Sequence, residues 1–269
     1  MRGGGLDLLH VIVLGLVQGL TEFLPVSSSA HLILLPAFFG WPDQGLAQDV
    51  AAHMGTLAAV VVYFRRDLRA MTAATVRNRG GARPAERQTL LNLCVATLPI
   101  IVAGLLLRDL VATAFRDPLV IAVTTPGFGL LLLWADYRGR KQRDAGSIGW
   151  RDAVCIGLAQ CLALVPGTSR SGITMTAGLF LDLDRRAAAR FSFLLSIPTL
   201  LLAGIYEFAH LYSAPGQVQW QSMGMVAFVS GVSGWITIHY FLKFIGRFGM
   251  LPFVIYRLAL GVVLFAMFV

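Results

Sequence analysis

LLHVIVLGLVQGLTEFLPVSSSAHLILLPAFF, residues 8–39, is one long apolar region with a break at its centre, Pro25-Val26-Ser27-Ser28-Ser29. A helix needs only about 20 apolar residues to cross about 30 Å of hydrocarbon. Irregular backbone at membrane depth is tolerated only where it is buried in protein or lines a watery cavity. A second region, 153–181, repeats the arrangement, with its break at Pro166-Gly167-Thr168-Ser169-Arg170-Ser171-Gly172. Six unbroken apolar runs complete the chain, at about 47–64, 89–107, 119–134, 191–208, 223–242 and 252–269. The charged stretch 182–190 reads as a short link.

The composition agrees with a membrane setting. Of 269 residues, 57% are hydrophobic and only 13% charged, against about 25% charged in soluble domains. So few charges cannot cover a water-soluble globule of this size. The net charge of +8 reflects Lys and Arg held in cytoplasmic loops rather than a nucleic-acid surface, because no basic stripe is interleaved with exposed aromatics. Cys94, Cys155 and Cys161 lie in apolar runs without metal-ligand spacing and read as small core residues. The N-terminal apolar stretch, with Gln18, Glu22 and Pro25, lacks a cleavage site and reads as mature protein.

Charge bias orients the pieces. Segments 65–87, 138–151, 183–190 and 243–247 carry nearly all the Lys and Arg and are placed in the cytoplasm; those near 40–46, 109–118 and 209–222 face outside. This works only if each broken region enters and leaves on one side, as a re-entrant helix–loop–helix. Gly15-Leu16-Val17-Gln18 matches Gly157-Leu158-Ala159-Gln160; each is followed by Pro and a Ser-rich turn, with Pro25 set against Pro166 and Ser28 against Ser169, and then by three spans. The expected fold is therefore all-α and membrane-integral: six transmembrane helices plus two re-entrant hairpins in an inverted-topology repeat. It forms a single membrane domain over 1–269, with copies at about 7–136 and 152–269. Such repeats place the site near the bilayer midplane at their interface.

Helix kinks alone would explain the prolines and a serine or two. They would not explain an acid, a His and an Arg beside them. A charge at the membrane centre costs roughly 2.5–3.5 kcal/mol on insertion scales, so Glu22 marks a site. Gln18 is one turn earlier on the same face, and the two offer oxygens to a hard divalent cation, Mg²⁺ or Ca²⁺. Ser27, Ser28 and Ser29 lie where a second half-helix begins, and its free N–H groups favour an anion. His31 is three residues after Ser28, placed to orient or deprotonate it; His10, His53, His210 and His239 read as hydrogen-bonders or interface residues. Arg170, flanked by Gly167, Thr168, Ser169 and Ser171 with Thr174 one turn on, forms a phosphate cradle. An acid with a metal, a hydroxyl, a His and an Arg are the parts of phosphoryl transfer, and a membrane setting implies a lipid-linked phosphate or pyrophosphate. A lipid-phosphate flippase or transporter using the same midplane site is the alternative.

These residues resemble the undecaprenyl-pyrophosphate phosphatase family of the bacitracin-resistance type. Its (E/Q)-x-x-x-E motif is met by Gln18 and Glu22, and its P-G-x-S-R-S-x-x-T motif by Pro166 through Thr174; its His after a Ser-Ser pair corresponds to His31. Residues 19–28, GLTEFLPVSS, and 191–198, FSFLLSIP, also fit. The resemblance implies a bacterial cytoplasmic-membrane enzyme, dependent on a divalent cation and open to the periplasm. It would hydrolyse the polyprenyl pyrophosphate released in cell-wall synthesis to the monophosphate carrier and inorganic phosphate. The expected partners are that lipid and the surrounding membrane, with a homodimer left open. Catalysis is expected of Glu22, Ser28, His31 and Arg170, substrate binding of Ser27, Ser29, Gly167, Thr168, Ser169, Ser171 and Thr174, and metal binding of Gln18 and Glu22.

Overall fold

A computed structural model describes residues 7–76, 85–107, 118–213 and 219–268. The expected loop residues Arg77, Arg79 and Arg83, the outer segment 109–117 and the stretch 214–218 lie outside the described residues. The described residues form α-helices and short 3-10 turns, with no strand ladder. In chain order the helices are α1 (Leu8–Thr21), α2 (Ser28–Phe39), α3 (Gly45–Tyr63), α4 (Arg65–Val76), α5 (Ala85–Leu106), α6 (Pro118–Arg138), α7 (Trp150–Gln160), α8 (Arg170–Phe180), α9 (Arg185–Ser213), α10 (Trp220–Phe248) and α11 (Leu251–Phe268).

Among the described residues six helices are long and apolar enough to cross a membrane: α3, α5, α6, α9, α10 and α11. Their outward faces are apolar, as at Leu98, Val102 and Leu105 on α5 and Phe228 on α10. That surface suits hydrocarbon and not water. Cys94 and Cys155 lie on the exposed surface rather than in the core, and Cys161 is half-buried. The apolar runs in which they sit are lipid-facing helix surface, where a small residue needs no burial.

The two broken regions are helix pairs whose ends meet. In the first, the His10 ring lies 3.8 Å from that of Trp41, beyond the end of α2. In the second, Arg143 pairs with Leu183 as an isolated bridge, with the Gln142 and Arg143 N–H groups donating to the Asp182 carbonyl and Asp184 N–H to that of Arg143. The link expected over 182–190 is shorter than the charges suggested. The Asp184 carboxylate accepts from Ala187 N–H, so the helix already begins at Arg185. The basic segment after residue 64 likewise carries a helix, α4, which exposes Arg65, Arg66 and Arg69 and buries Met71.

Packing pairs elements across the chain. α10 lies against α1 and α3, α5 against α7, and α6 against α11. Small residues allow the closest crossings. A Cβ on Gly19 would stand 1.9 Å from Ser233 Oγ and one on Gly55 2.1 Å from the Ala227 carbonyl oxygen. Where helices gain little from water exclusion, such close contact is their main attraction. The central core includes Phe23, two residues before Pro25, whose ring packs on Phe193, which in turn meets Phe241.

Candidate active site

Both breaks end on a serine forced into the left-handed region. Ser27, before α2, has φ 74°, and Ser169, before α8, has φ 69°. A non-glycine residue there costs roughly 1–3 kcal/mol and persists only when its surroundings hold it. The His31 ring holds the first, with Nδ1 2.7 Å from the Ser27 carbonyl oxygen. The second holds itself, since Ser169 Oγ accepts from Gly172 N–H. A constant offset of 142 residues relates Gly15 to Gly157, Gln18 to Gln160 and Ser27 to Ser169. The prolines are therefore one position out of register, and Ser28 corresponds to Arg170 rather than to Ser169. In both breaks the first and third residues of the turn bring their hydroxyls together, Ser27 to Ser29 at 3.1 Å and Ser169 to Ser171 at 3.2 Å.

The turns face each other across a buried carboxylate. Arg170 Nη2 donates to Glu22 Oε1 at 2.8 Å. Ser28 Oγ donates to Glu22 Oε2 at 2.7 Å, and Gln18 Nε2 donates to the same oxygen at 3.1 Å. Arg170 also reaches the Ser192 carbonyl. A buried carboxylate needs such partners to remain charged. The pair forms one end of a cavity of ≈ 560 Å³, where Ser27, Ser28, Ser29 and Ser169 also reach the surface. The rest of its lining is mostly apolar, from Ile100, Ile101 and Leu105 of α5 to Leu200, Leu202 and Ala203 of α9, with Thr97, Thr199 and Glu207 as polar members.

Other expected residues stand behind this wall. Ser171 Oγ donates to the Leu24 carbonyl, tying one broken loop to the other. Thr174 is buried against Arg170 and Ser171 carbonyls and the Ser192 hydroxyl. Gly167, at φ 86°, is pressed on α6, where a Cβ would stand 2.2 Å from Thr124 Oγ1. Thr168 is fully buried. His31 does not reach Ser28. Its Nδ1 can only donate to a carbonyl, and its Nε2 lies 2.6 Å from the Tyr256 hydroxyl. A ring whose two nitrogens are both engaged braces the turn.

Two residues escaped the sequence reading. His53 lines the cavity with Nε2 3.8 Å from Glu22 Oε2, its Nδ1 donating to the Asp49 carbonyl. It lies two residues before Gly55 in an apolar helix, and no local motif marks it. Arg257 is fully buried in α11. An isolated Arg inside an apolar span was the signal that could have found it.

For a divalent cation, the residues present fit a partial site. No three of His, Cys, Asp and Glu gather to hold a metal among the described residues. Glu22 reaches the cavity, and the buried Gln18 Oε1 lacks a hydrogen-bond partner. One carboxylate with few other protein ligands suits a cation completed by phosphate oxygens and water.

Fold and site together define a multi-pass membrane protein with a buried acid–guanidinium–serine centre facing a largely apolar cavity. Residues 11–263 match the model of the bacitracin resistance protein BacA family, and the chain belongs to that family. It is 50% identical to the undecaprenyl-diphosphatase of Nitrosococcus oceani, over 98% of this chain and 100% of the relative. It is 53% identical to that of Thioalkalivibrio sulfidiphilus over the same shares, and 52% identical to undecaprenyl-diphosphatase 2 of Stutzerimonas stutzeri, over 98% and 99%.

Proposed function

We propose that this protein hydrolyses undecaprenyl diphosphate to undecaprenyl phosphate and inorganic phosphate, returning the carrier lipid to cell-wall synthesis and conferring bacitracin resistance. The observation that carries this reading is the Glu22–Arg170–Ser28 cluster facing a cavity whose lining is mostly apolar. The cluster suits a diphosphate. The apolar wall runs out to Leu105 and Leu202, exposed on the lipid-facing surface, and suits a prenyl chain. The names of the relatives support the enzyme and give no support to a carrier.

Ser28 Oγ attacks the terminal phosphorus while its proton passes to Glu22 Oε2, the oxygen to which it already donates. The anhydride P–O bond breaks and the polyprenyl phosphate leaves as an anion, so it needs charge neutralisation more than a strong acid. Arg170 and the N–H groups at the start of α8 provide it. Water then attacks the phosphoserine phosphorus, the Ser28 Oγ–P bond breaks, Glu22 returns its proton to Ser28 Oγ, and inorganic phosphate leaves with one water proton while the other passes to solvent. Ser27, Ser29 and Ser169 orient the phosphates, and Ser171, Thr174, Gly167 and Thr168 set the loop that carries Arg170. A divalent cation held by Glu22, with Gln18 Oε1 as a second oxygen, would neutralise charge on the bound diphosphate. His31 acts here by holding Ser27.

The architecture belongs to the same reading. The two helix pairs are re-entrant hairpins in an inverted repeat, with copies over about 7–136 and 152–269. The pairings of α1 with α10 and of α7 with α5 support this, being equivalent contacts under such an exchange. The site lies in the inner membrane, open to the periplasm. The deciding assay is phosphate release from undecaprenyl diphosphate by detergent-purified protein, where no gradient exists for a carrier to use. Glu22→Gln, Ser28→Ala and Arg170→Ala should each lose about 100-fold or more. A folded Arg170→Ala protein with near-full activity would sink this assignment.

A further inference from the structure

Arg257 is a cation inside a membrane helix with no carboxylate within ion-pair distance among the described residues. All five of its N–H groups are nonetheless spent, and every acceptor is a backbone carbonyl. Nε donates to Thr125 at 2.7 Å; Nη1 to Thr168 at 3.0 Å and Pro25 at 3.2 Å; Nη2 to Gly167 at 2.8 Å and Thr124 at 3.5 Å. These carbonyls come from three places: the first break, the second break and α6. Two glycines make room for the side chain. A Cβ on Gly172 would stand 3.1 Å from Nη1 and one on Gly129 3.2 Å from Arg257 Cβ.

Arg257 does not line the cavity, while Ser169, next to one of its acceptors, does. In a trans peptide the C=O and the following N–H point in opposite directions. Drawing the Thr168 carbonyl onto Arg257 therefore turns the Ser169 N–H the other way, toward the cavity. That N–H has no hydrogen-bond partner among the described residues. Without the guanidinium, the carbonyl dipoles of both breaks would be free to turn toward the diphosphate and repel it.

Resting on the phosphatase reading, we propose that Arg257 is the positioning residue of the site. It never touches substrate. It collects the carbonyls of both breaks on the far side of the loops, fixes the gap between Ser28 and Arg170, and aims the Ser169 N–H at the bound phosphate.

The test uses full-length protein in detergent. It measures kcat and KM for farnesyl diphosphate, the affinity for methylenebisphosphonate by calorimetry, and the unfolding temperature. Arg257→Lys keeps the charge but offers three donors to five carbonyls. Its kcat should fall about tenfold to a hundredfold, and its bisphosphonate affinity about tenfold, with a smaller change in KM. Gly129→Ala lies on α6, outside the cavity, and crowds the Arg257 stem. Alanine is the better helix former, so its unfolding temperature should hold or rise while kcat falls about severalfold. This second variant decides the matter if Arg257→Lys does not fold. Loss of activity only in step with loss of stability, or unchanged bisphosphonate affinity in either folded variant, overturns the proposal. Should the wild-type protein release no phosphate, the phosphatase reading falls, and the bisphosphonate titration still decides the role of Arg257.

Discussion

At the scale of single residues the site is a problem in satisfying one buried carboxylate. Glu22 accepts from Arg170, Ser28 and Gln18 together, which is what a charge away from water requires. The acid, the guanidinium and the serines were legible in the sequence because charge in an apolar run is costly and therefore meaningful. The partner of His31 was not legible: a spacing of three suggested Ser28, but the helix start turns the ring back onto the Ser27 carbonyl. Tyr256, 225 residues away, cannot be read from any local pattern. The arrangement separates two roles for His31. Tyr256→Phe removes one neutral hydrogen bond and should lower kcat/KM by about two- to tenfold. His31→Leu also releases the strained Ser27 and should cost about 100-fold or more. Steady-state phosphate release from farnesyl diphosphate measures both. Equal damage from the two would show that His31 acts through Tyr256 and not through Ser27.

At the scale of elements, the close crossings of α10 hold the site's floor in place. Gly55 of α3 meets the backbone of α10, which cannot yield as a flexible side chain can. Gly55→Leu should therefore destabilise by about 3 kcal/mol or more, at the upper end of overpacking. Gly127→Ala in α6, where a Cβ meets nothing within 4 Å, should be neutral or stabilising; thermal unfolding in detergent compares them. The ends of the second broken region are held together by Arg143, which grips both Asp152 oxygens at 3.1 and 2.6 Å and also the Ser147 and Leu181 carbonyls. Burial raises the Asp152 carboxyl, but the Arg143 guanidinium and the Gly149 N–H outweigh it and hold the group below its ordinary value. A carboxylate depressed in the folded state adds stability that is complete above its unfolded value, near 4, and is lost as pH falls through the folded one. Asp152→Asn should thus lose roughly 1 kcal/mol at pH 7, and the difference from wild type should shrink below about pH 4. A difference that stays constant down to pH 3 would show that the charge is not what pins the hairpin. Element ends were the least legible part of the chain: charges at 185–190 suggested a loop, but the Asp184 cap starts α9 among them.

At the scale of the whole molecule, the two broken regions bring opposite charges to the site, Glu22 from the first and Arg170 from the second. The offset of 142 places Arg170 where the first region has Ser28, and Leu164 where it has Glu22. Neither region alone holds both Glu22 and Arg170; the two meet only where the breaks face each other. Six apolar runs and two interruptions were visible in the sequence because lipid imposes a length on each span. The pairing of α1 with α10 or of α6 with α11 was not, since helix contacts in hydrocarbon depend on shape rather than on an apolar stripe. If the copies are inverted, the base of each hairpin lies on a different side of the membrane. Pro42 marks the first base and Gln142 the second; both are exposed, and neither side chain makes a described hydrogen bond. In protein with Cys94, Cys155 and Cys161 replaced by Ala, Pro42→Cys should react with a membrane-impermeant maleimide on intact spheroplasts. Gln142→Cys should react only after permeabilisation. Reaction of both from the same side would mean that α3, α5 and α6 do not make three crossings between the two bases, and the two breaks could not enter the membrane from opposite faces.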